Sequence, residues 1–308
     1  MAHFAVGSLI RDARERQKYS QEELCYGICT ASTLSRIENG VQAPGKKILE
    51  ALMQRLGIVD RLYNSYLSPE EMERYEMEEK LTRCLARKDY EKAEEFVEIL
   101  EWKLGEIPRK AYSLKLEAQH VCFAKALIRK SKGASRQIVL EELLEAIRMT
   151  MPDFDGVHLR ARLLTFQEIS ILNNIGCTYH AMGKICDALR LLVQLKEYME
   201  SHTDGGQELS VKYLMVLQNL STWLGQKGYY QEALALCQKG IDFCVEYGRM
   251  HMFPMFLCNK ACALAELGQY DVSKENFYLS IALYQAMSQH DCAGQVRKYA
   301  ESFYGIKV

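Results

Sequence analysis

The chain of 308 residues is 48% hydrophobic and sets 39 basic against 40 acidic side chains, a net charge of −1. This length exceeds one ordinary domain and supports a sizeable core, while the near-neutral charge excludes a polycation that coats nucleic acid by charge alone. Eleven cysteines, no signal-like N-terminus and no apolar run near the roughly 18 residues of a membrane span give the expectation of a soluble, cytoplasmic protein with free thiols and no membrane partner.

Residues 7–17, GSLIRDARERQ, read as a helix with Leu9, Ile10 and Ala13 inward and Arg11, Arg16 and Lys18 in solvent. Residues 20–40, SQEELCYGICTASTLSRIENG, then have the form of a helix, a tight turn and a second helix. Ser20 caps the first, with Glu23 completing a capping box and Leu24 as the first inward contact. Thr30 caps the second, Leu34 and Ile37 form its buried stripe, and Asn39-Gly40 supplies a left-handed stop. Ala31, Ser32, Ser35 and Arg36 lie on or beside its other side. Small residues there let a helix sink into a major groove, where Arg36 reaches a guanine edge or a phosphate. An all-helical core accounts for Leu24, Ile28, Leu34 and Ile37, but not for Gln21, Ser32 and Arg36 together.

After Ala43-Pro44-Gly45, Lys46 and Lys47 open a further helix. Its N-terminus and two cations suit a phosphate, with plain surface charge as the equal alternative. Residues 1–66 hold nine Lys and Arg against seven Asp and Glu, so DNA affinity is expected to rest on a few placed contacts and on dimerisation.

SQEEL followed by SRIENG, with Pro44 and the helix of residues 48–56 behind it, resembles the lambda-repressor-like (XRE, Cro/CI) DNA-binding domain over roughly the first 65 residues. The resemblance implies that Gln21 contacts phosphate, that Thr30, Ala31, Ser32 and Arg36 face bases with Thr33 and Ser35 beside them, and that Arg14 and Glu38 form an internal ion pair. Ala31 departs from the polar residue often found there, so base reading at that point becomes an apolar contact.

Ser68-Pro69-Glu70-Glu71 starts a new helix with a cap, a proline at its first position and two acids. The expected domains are therefore 1–66, a helix-turn-helix DNA-binding domain, and 67–308, a helical repeat domain. From residue 70 the apolar spacing is helical throughout, and Pro44, Pro69, Pro108, Pro152 and Pro254 fall at expected helix starts and loops. GKICDAL from Gly183, GYYQEAL from Gly228 and GQYDVSK from Gly268 recur at offsets of 45 and 40, with a weaker copy, KDYEKAE, from Lys88. The pattern resembles the tetratricopeptide (TPR) repeat. It implies an all-α fold of about five helix pairs stacked into a right-handed superhelix with a concave groove, closed by a cap after Asp291.

Nine residues before each of those glycines stands an asparagine: Asn174, Asn219 and Asn259. In repeat geometry they face the groove, where a carboxamide offers the donor and the acceptor that an extended peptide backbone needs. Gln167, Lys212, Met215, Met252 and Met255 lie one or two turns earlier on roughly the same face, Lys212 suited to a carboxylate and the methionines to adaptable apolar contact. The alternative is that each asparagine bonds a neighbouring helix and fixes the stacking. Tyr179 is expected to pack rather than to touch a ligand. Cys25/Cys29 and Cys258/Cys262 share helical faces but complete no zinc set, so neither a metal nor a cofactor is expected. No GxxxxGK, HExxH or GxSxG motif is present, and the 7 histidines are scattered, so an enzyme is not expected.

An XRE domain followed by a TPR-like superhelix is similar to the RRNPP family of peptide-pheromone receptors, the PlcR-like and Rgg-like regulators of Gram-positive bacteria. The spelling ICxxSxxSRIE of residues 28–38 and the short turn before it favour the PlcR-like branch. The resemblance implies a cytoplasmic, quorum-sensing homodimer that binds an inverted-repeat operator and a short signalling peptide in the groove. Two other readings stay open, a repeat domain that docks a folded protein partner and one that serves only to dimerise.

Overall fold

The computed structural model describes residues 2–58, 69–106, 112–160, 163–202 and 206–308. Among these residues every regular element is a helix. The chain divides into two compact units, one of Met1–Gln194 with His202–Gly205, the other of Leu195–Ser201 with Gly206–Val308. The expected boundary at residues 66 and 67, and Pro108, lie outside the described residues.

The first unit begins with α1 (Ala2–Arg16), α2 (Gln21–Cys25), α3 (Ala31–Glu38) and α4 (Lys46–Arg55). The capping signals act as expected. Ser20 and Glu23 form a complete capping box at α2, and Thr30 accepts from the Thr33 N–H at α3. Ile10, Leu24, Ile28, Leu34, Ile37 and Leu52 close a core from which water is excluded. Leu9 is a correction: it is 38% exposed, because the inward stripe of α1 runs through Ile10 and Ala13. Leu163, far along the chain, also belongs to this core.

The unit continues through α5 (Pro69–Ala86), α6 (Tyr90–Gly105), α7 (Tyr112–Ser131), α8 (Arg136–Arg148), α9 (Phe166–Ala181) and α10 (Ile185–Ser201), whose last turns belong to the second unit. That second unit holds α11 (Gly206–Gln226), α12 (Tyr230–Glu246), α13 (Phe253–Glu266), α14 (Tyr270–Ala286) and α15 (His290–Tyr304). The helices pair as the repeat predicts, and each pair turns at a residue with positive φ: Lys88, Gly133, Gly183, Gly228 and Gly268. The following N–H reaches back to a carbonyl five residues earlier, as from Tyr229 to Leu224 at 3.0 Å and from Gln269 to Leu264 at 2.9 Å. Lys88, at φ 59°, makes the same turn in the weaker copy without the freedom of a glycine. In the second unit α15 closes the apolar face of α13 and α14 through Ala293, Ala300 and the following Ile306, packed with Ala261, Phe277 and Ile281.

Candidate DNA interface and groove positions

On α3, Thr30, Ser32 and Arg36 are exposed while Ala31, Thr33 and Ser35 are half-buried. The Thr30 hydroxyl accepts from Thr33 N at 3.1 Å and lies 2.9 Å from the Thr33 hydroxyl, so these two are partly engaged in capping. Ser35 accepts at its carbonyl from Asn39 Nδ2 at 2.8 Å. Arg36 forms no ion pair among the described residues.

Behind this face Arg14 donates to Glu38 from Nε at 2.7 Å and from Nη2 at 3.0 Å. That fork is buried and ties α1 to the end of α3, as the family resemblance implied. Gln21 Nε2 donates to the same carboxylate at 2.7 Å, so one donor of the expected phosphate ligand is committed inward. Lys46 and Lys47 require a clearer correction. Lys46 is buried over the Tyr75 ring, 3.9 Å from Glu50, and Lys47 pairs with the buried Glu78. Burial lowers the Lys47 pKa, but Glu78 and Glu50 outweigh it and push the value up to about 12. The helix start placed both lysines near a phosphate site; instead Lys47 turns to Glu78 of α5, and Lys46 lies over Tyr75 of α5 with Glu50 of its own helix nearby.

A contact region that sequence reasoning missed joins this domain to the repeats within the first unit. Arg55, 3% exposed, donates from Nη1 to Leu24 O at 3.0 Å and to Tyr26 O at 2.6 Å, and from Nη2 to Glu168 Oε1 at 3.4 Å. Tyr26 OH donates to Asp153 at 2.8 Å. Between them Gly27, at φ 69°, lies so close to α8 that a Cβ there would stand 2.0 Å from Thr150 O. Gln54 Oε1 accepts from Phe166 N at 3.0 Å. The turn of the helix-turn-helix thus stands on the end of α8 and the start of α9. The available signal was Arg55 inside an otherwise apolar register, Leu49, Leu52, Met53 and Leu56.

The segment of residues 149–160 is itself braced. Gln194 accepts from Leu159 N at 2.9 Å and donates to Val157 O at 3.1 Å, and Tyr179 OH donates to Gly156 O at 3.0 Å. Tyr179 is buried and serves packing, as expected.

Of the groove positions, the first unit holds two, both on α9. Asn174 Nδ2 donates to Ser170 O, one turn back, at 2.9 Å. Gln167 Oε1 lies 3.3 Å from His120 Nδ1, while its Nε2 is buried with no hydrogen-bond partner among the described residues. The second unit holds the others, on α11 and α13. Met215 and Met255 are exposed at 41% and 37%, and Met252, Asn219 and Asn259 are half-buried. Lys212 lies 3.6 Å from Glu208, and burial lowers its pKa. Asn259 Nδ2 donates across to α11, to Ser221 Oγ at 3.0 Å and Thr222 Oγ1 at 2.9 Å. At Asn174 and Asn259 the protein uses an amide N–H, and no protein donor among the described residues takes the Oδ1 acceptor. All eleven cysteines are free thiols. Among the described residues no helix is long and apolar enough to cross a membrane, and no group of three or more His, Cys, Asp or Glu is placed to hold a metal.

Comparison with known proteins agrees with this architecture. A family model described as Helix-turn-helix matches residues 10–63, and one described as Tetratricopeptide repeat matches residues 214–246. No curated protein sequence matches the chain. Among solved structures, Bacillus thuringiensis PlcR in complex with the peptide PapR7 and DNA aligns at 18% identity and a TM-score of 0.59, over 94% of this chain and 98% of PlcR. PlcR in its apo form aligns at 16% and 0.58, over 95% and 97%. The apo form of the competence regulator ComR from Streptococcus vestibularis aligns at 17% and 0.50, over 98% and 99%. At these identities the likeness is one of fold, and it runs through both parts of the chain. The chain thus carries a helix-turn-helix domain followed by tetratricopeptide repeats, on a fold similar to that of PlcR and of ComR.

Proposed function

We propose that the protein is a cytoplasmic, homodimeric transcription regulator whose residues 1–66 bind an inverted-repeat operator and whose residues 67–308 bind a short signalling peptide. Two copies of α3 enter successive major grooves, with Thr30, Ala31, Ser32 and Arg36 toward the bases, Thr33 and Ser35 beside them, and Gln21 at the backbone. The observation that carries the DNA half is the exposure of Thr30, Ser32 and Arg36 on a helix whose opposite face is fully buried. Lys46 and Lys47 have no part in it in this conformation, since both ammonium groups face carboxylates.

Support for the peptide half comes from two places. In the second unit Lys212, Met215, Asn219, Met255 and Asn259 occupy neighbouring helices, since α11 and α13 touch through Asn259. In the first unit the unpartnered Nε2 of Gln167 costs about 1–3 kcal/mol, which an acceptor on a peptide relieves. The solved relative PlcR was captured with both a peptide and DNA. Transmission has a physical route: α9 carries Gln167 and Asn174, and beside Gln167 stands Glu168, which holds Arg55 and with it the turn between α2 and α3. A peptide that favours one placement of α9 shifts the helix-turn-helix by no more than its differential affinity.

A second reading, in which the repeats dock a folded protein or only dimerise, draws on the amides of Asn174 and Asn259, whose N–H groups already serve the protein. Calorimetric titration with short synthetic peptides separates the two. The peptide reading expects saturable binding that Asn219→Ala and Asn259→Ala each weaken about tenfold, roughly one charge-neutral hydrogen bond. Binding indifferent to both substitutions, in variants that unfold like the parent, removes the groove from this account.

A further inference from the structure

The outward face of α6 does nothing that the fold requires. Ala93, Val97 and Leu100 turn into the core shared with α5 and α7. Along the flanks of α6, Glu94 and Glu101 pair with Lys132 and Lys125 of α7, and Lys103 pairs with Glu73 of α5 at 2.7 Å. Opposite the core, Glu91, Glu95, Glu98 and Trp102 follow at steps of four, three and four, which is one stripe of a helix, with Ile99 a turn from both Glu95 and Trp102. Trp102 is 66% exposed and Ile99 39%. Among the described residues Trp102 has no ring partner and the three carboxylates have no ion pair. We propose that this stripe docks a basic amphipathic helix of a protein partner.

Folding does not account for the stripe. Like charges one turn apart, as at Glu91 and Glu95, weaken a helix. An indole left in water forgoes one of the largest gains that burial offers a side chain. Both effects reverse when a helix with lysines around an apolar seam lies along α6. Trp102 and Ile99 supply the matching seam, and the carboxylates before and beside it meet the lysines, as flanking charges do where two helices pack.

Charge decides among the occupants. DNA and anionic lipid headgroups are repelled by Glu91, Glu95 and Glu98. A second copy related by two-fold symmetry sets the stripe against itself and brings like charges together. A basic protein surface is attracted, and a helix is the element whose side chains match a stripe of this period. α6 carries none of the groove positions, so this surface is independent of peptide binding.

The full-length protein carries its own reporter, because Trp223, the only other tryptophan, is buried. A synthetic helix bearing a leucine stripe flanked by lysines is expected to bind saturably and to move Trp102 emission to shorter wavelength. Trp102→Ala should weaken binding of the labelled helix about tenfold, and Glu95→Gln with Glu98→Gln should weaken it at low salt only. Both variants should keep the parent's thermal midpoint, since none of these side chains supports the fold. Absence of binding, or equal binding by Trp102→Ala, overturns the proposal. Equal binding of a helix whose leucines are replaced by glutamine also overturns it, because charge alone then suffices. Two further outcomes overturn it in favour of other occupants: the same emission shift with phosphatidylcholine vesicles assigns the stripe to lipid, and a dimer of the free protein that Trp102→Ala dissolves assigns it to a second copy.

Discussion

Arg55 and Glu168, 113 residues apart in the chain, meet with side chains 1% and 0% exposed, and through them the DNA-binding half leans on the repeats. Arg55 spends its other donors on Leu24 O and Tyr26 O, while Glu168 accepts from Thr165 N at 2.6 Å as the cap of α9. The pair therefore fastens the end of α2 to the first turn of a helix that carries two candidate ligand contacts.

Arg55→Met is expected to destabilise the protein by about 3–5 kcal/mol, because it strands a buried carboxylate. Adding Glu168→Gln should recover more than half of that loss, since glutamine keeps an acceptor for the cap without the charge. Chemical denaturation of the two variants checks this. If the single change costs less than the double, the pair is not what holds the turn in place.

Arg36→Ala is expected to weaken operator binding by about 1–3 kcal/mol while leaving stability within about 0.5 kcal/mol, because the side chain is exposed. Anisotropy titrations against a selected operator at several salt concentrations also assign its partner. A smaller salt slope marks a phosphate contact, and relaxed preference at one base pair marks a guanine edge. An unchanged affinity at fixed salt contradicts both roles.

Lys88 holds φ 59° at a turn where the four other helix pairs place glycine. Lys88→Gly is expected to stabilise the fold by about 1 kcal/mol by removing the steric cost of the left-handed conformation. Gly228→Lys should destabilise by a similar amount. A lowered thermal midpoint for Lys88→Gly would falsify the shared turn geometry.

Glu200 gives the second unit a pH dependence. Burial raises its pKa, but bonds from Lys239, Tyr213 at 2.7 Å and Lys196 at 2.9 Å outweigh this and hold it at about 2, against an ordinary 4.5. A depressed folded value means stabilisation fully present above the ordinary value and lost as pH falls from 4.5 toward 2. Thermal unfolding across that window should show a steeper loss in the parent than in Glu200→Gln. Parallel curves dismiss the network as a contributor.

The helix-turn-helix, its caps at Ser20 and Thr30, the left-handed turns at Gly183, Gly228 and Gly268 and the closing helix α15 were all legible in the sequence. Each is decided by a few neighbouring residues, through a side chain bonding its own backbone, a missing Cβ or an apolar period, so the order of letters contains the cause. The inward turn of Lys46 and Lys47, the engagement of Gln21 with Glu38, the donation of Asn259 to α11 and the meeting of Arg55 with Glu168 depend on which helices come to lie side by side. A charge or an amide takes whichever partner burial leaves within reach, and except for Glu50 beside Lys46 that partner stands 17 to 113 positions away, where only the folded chain brings it.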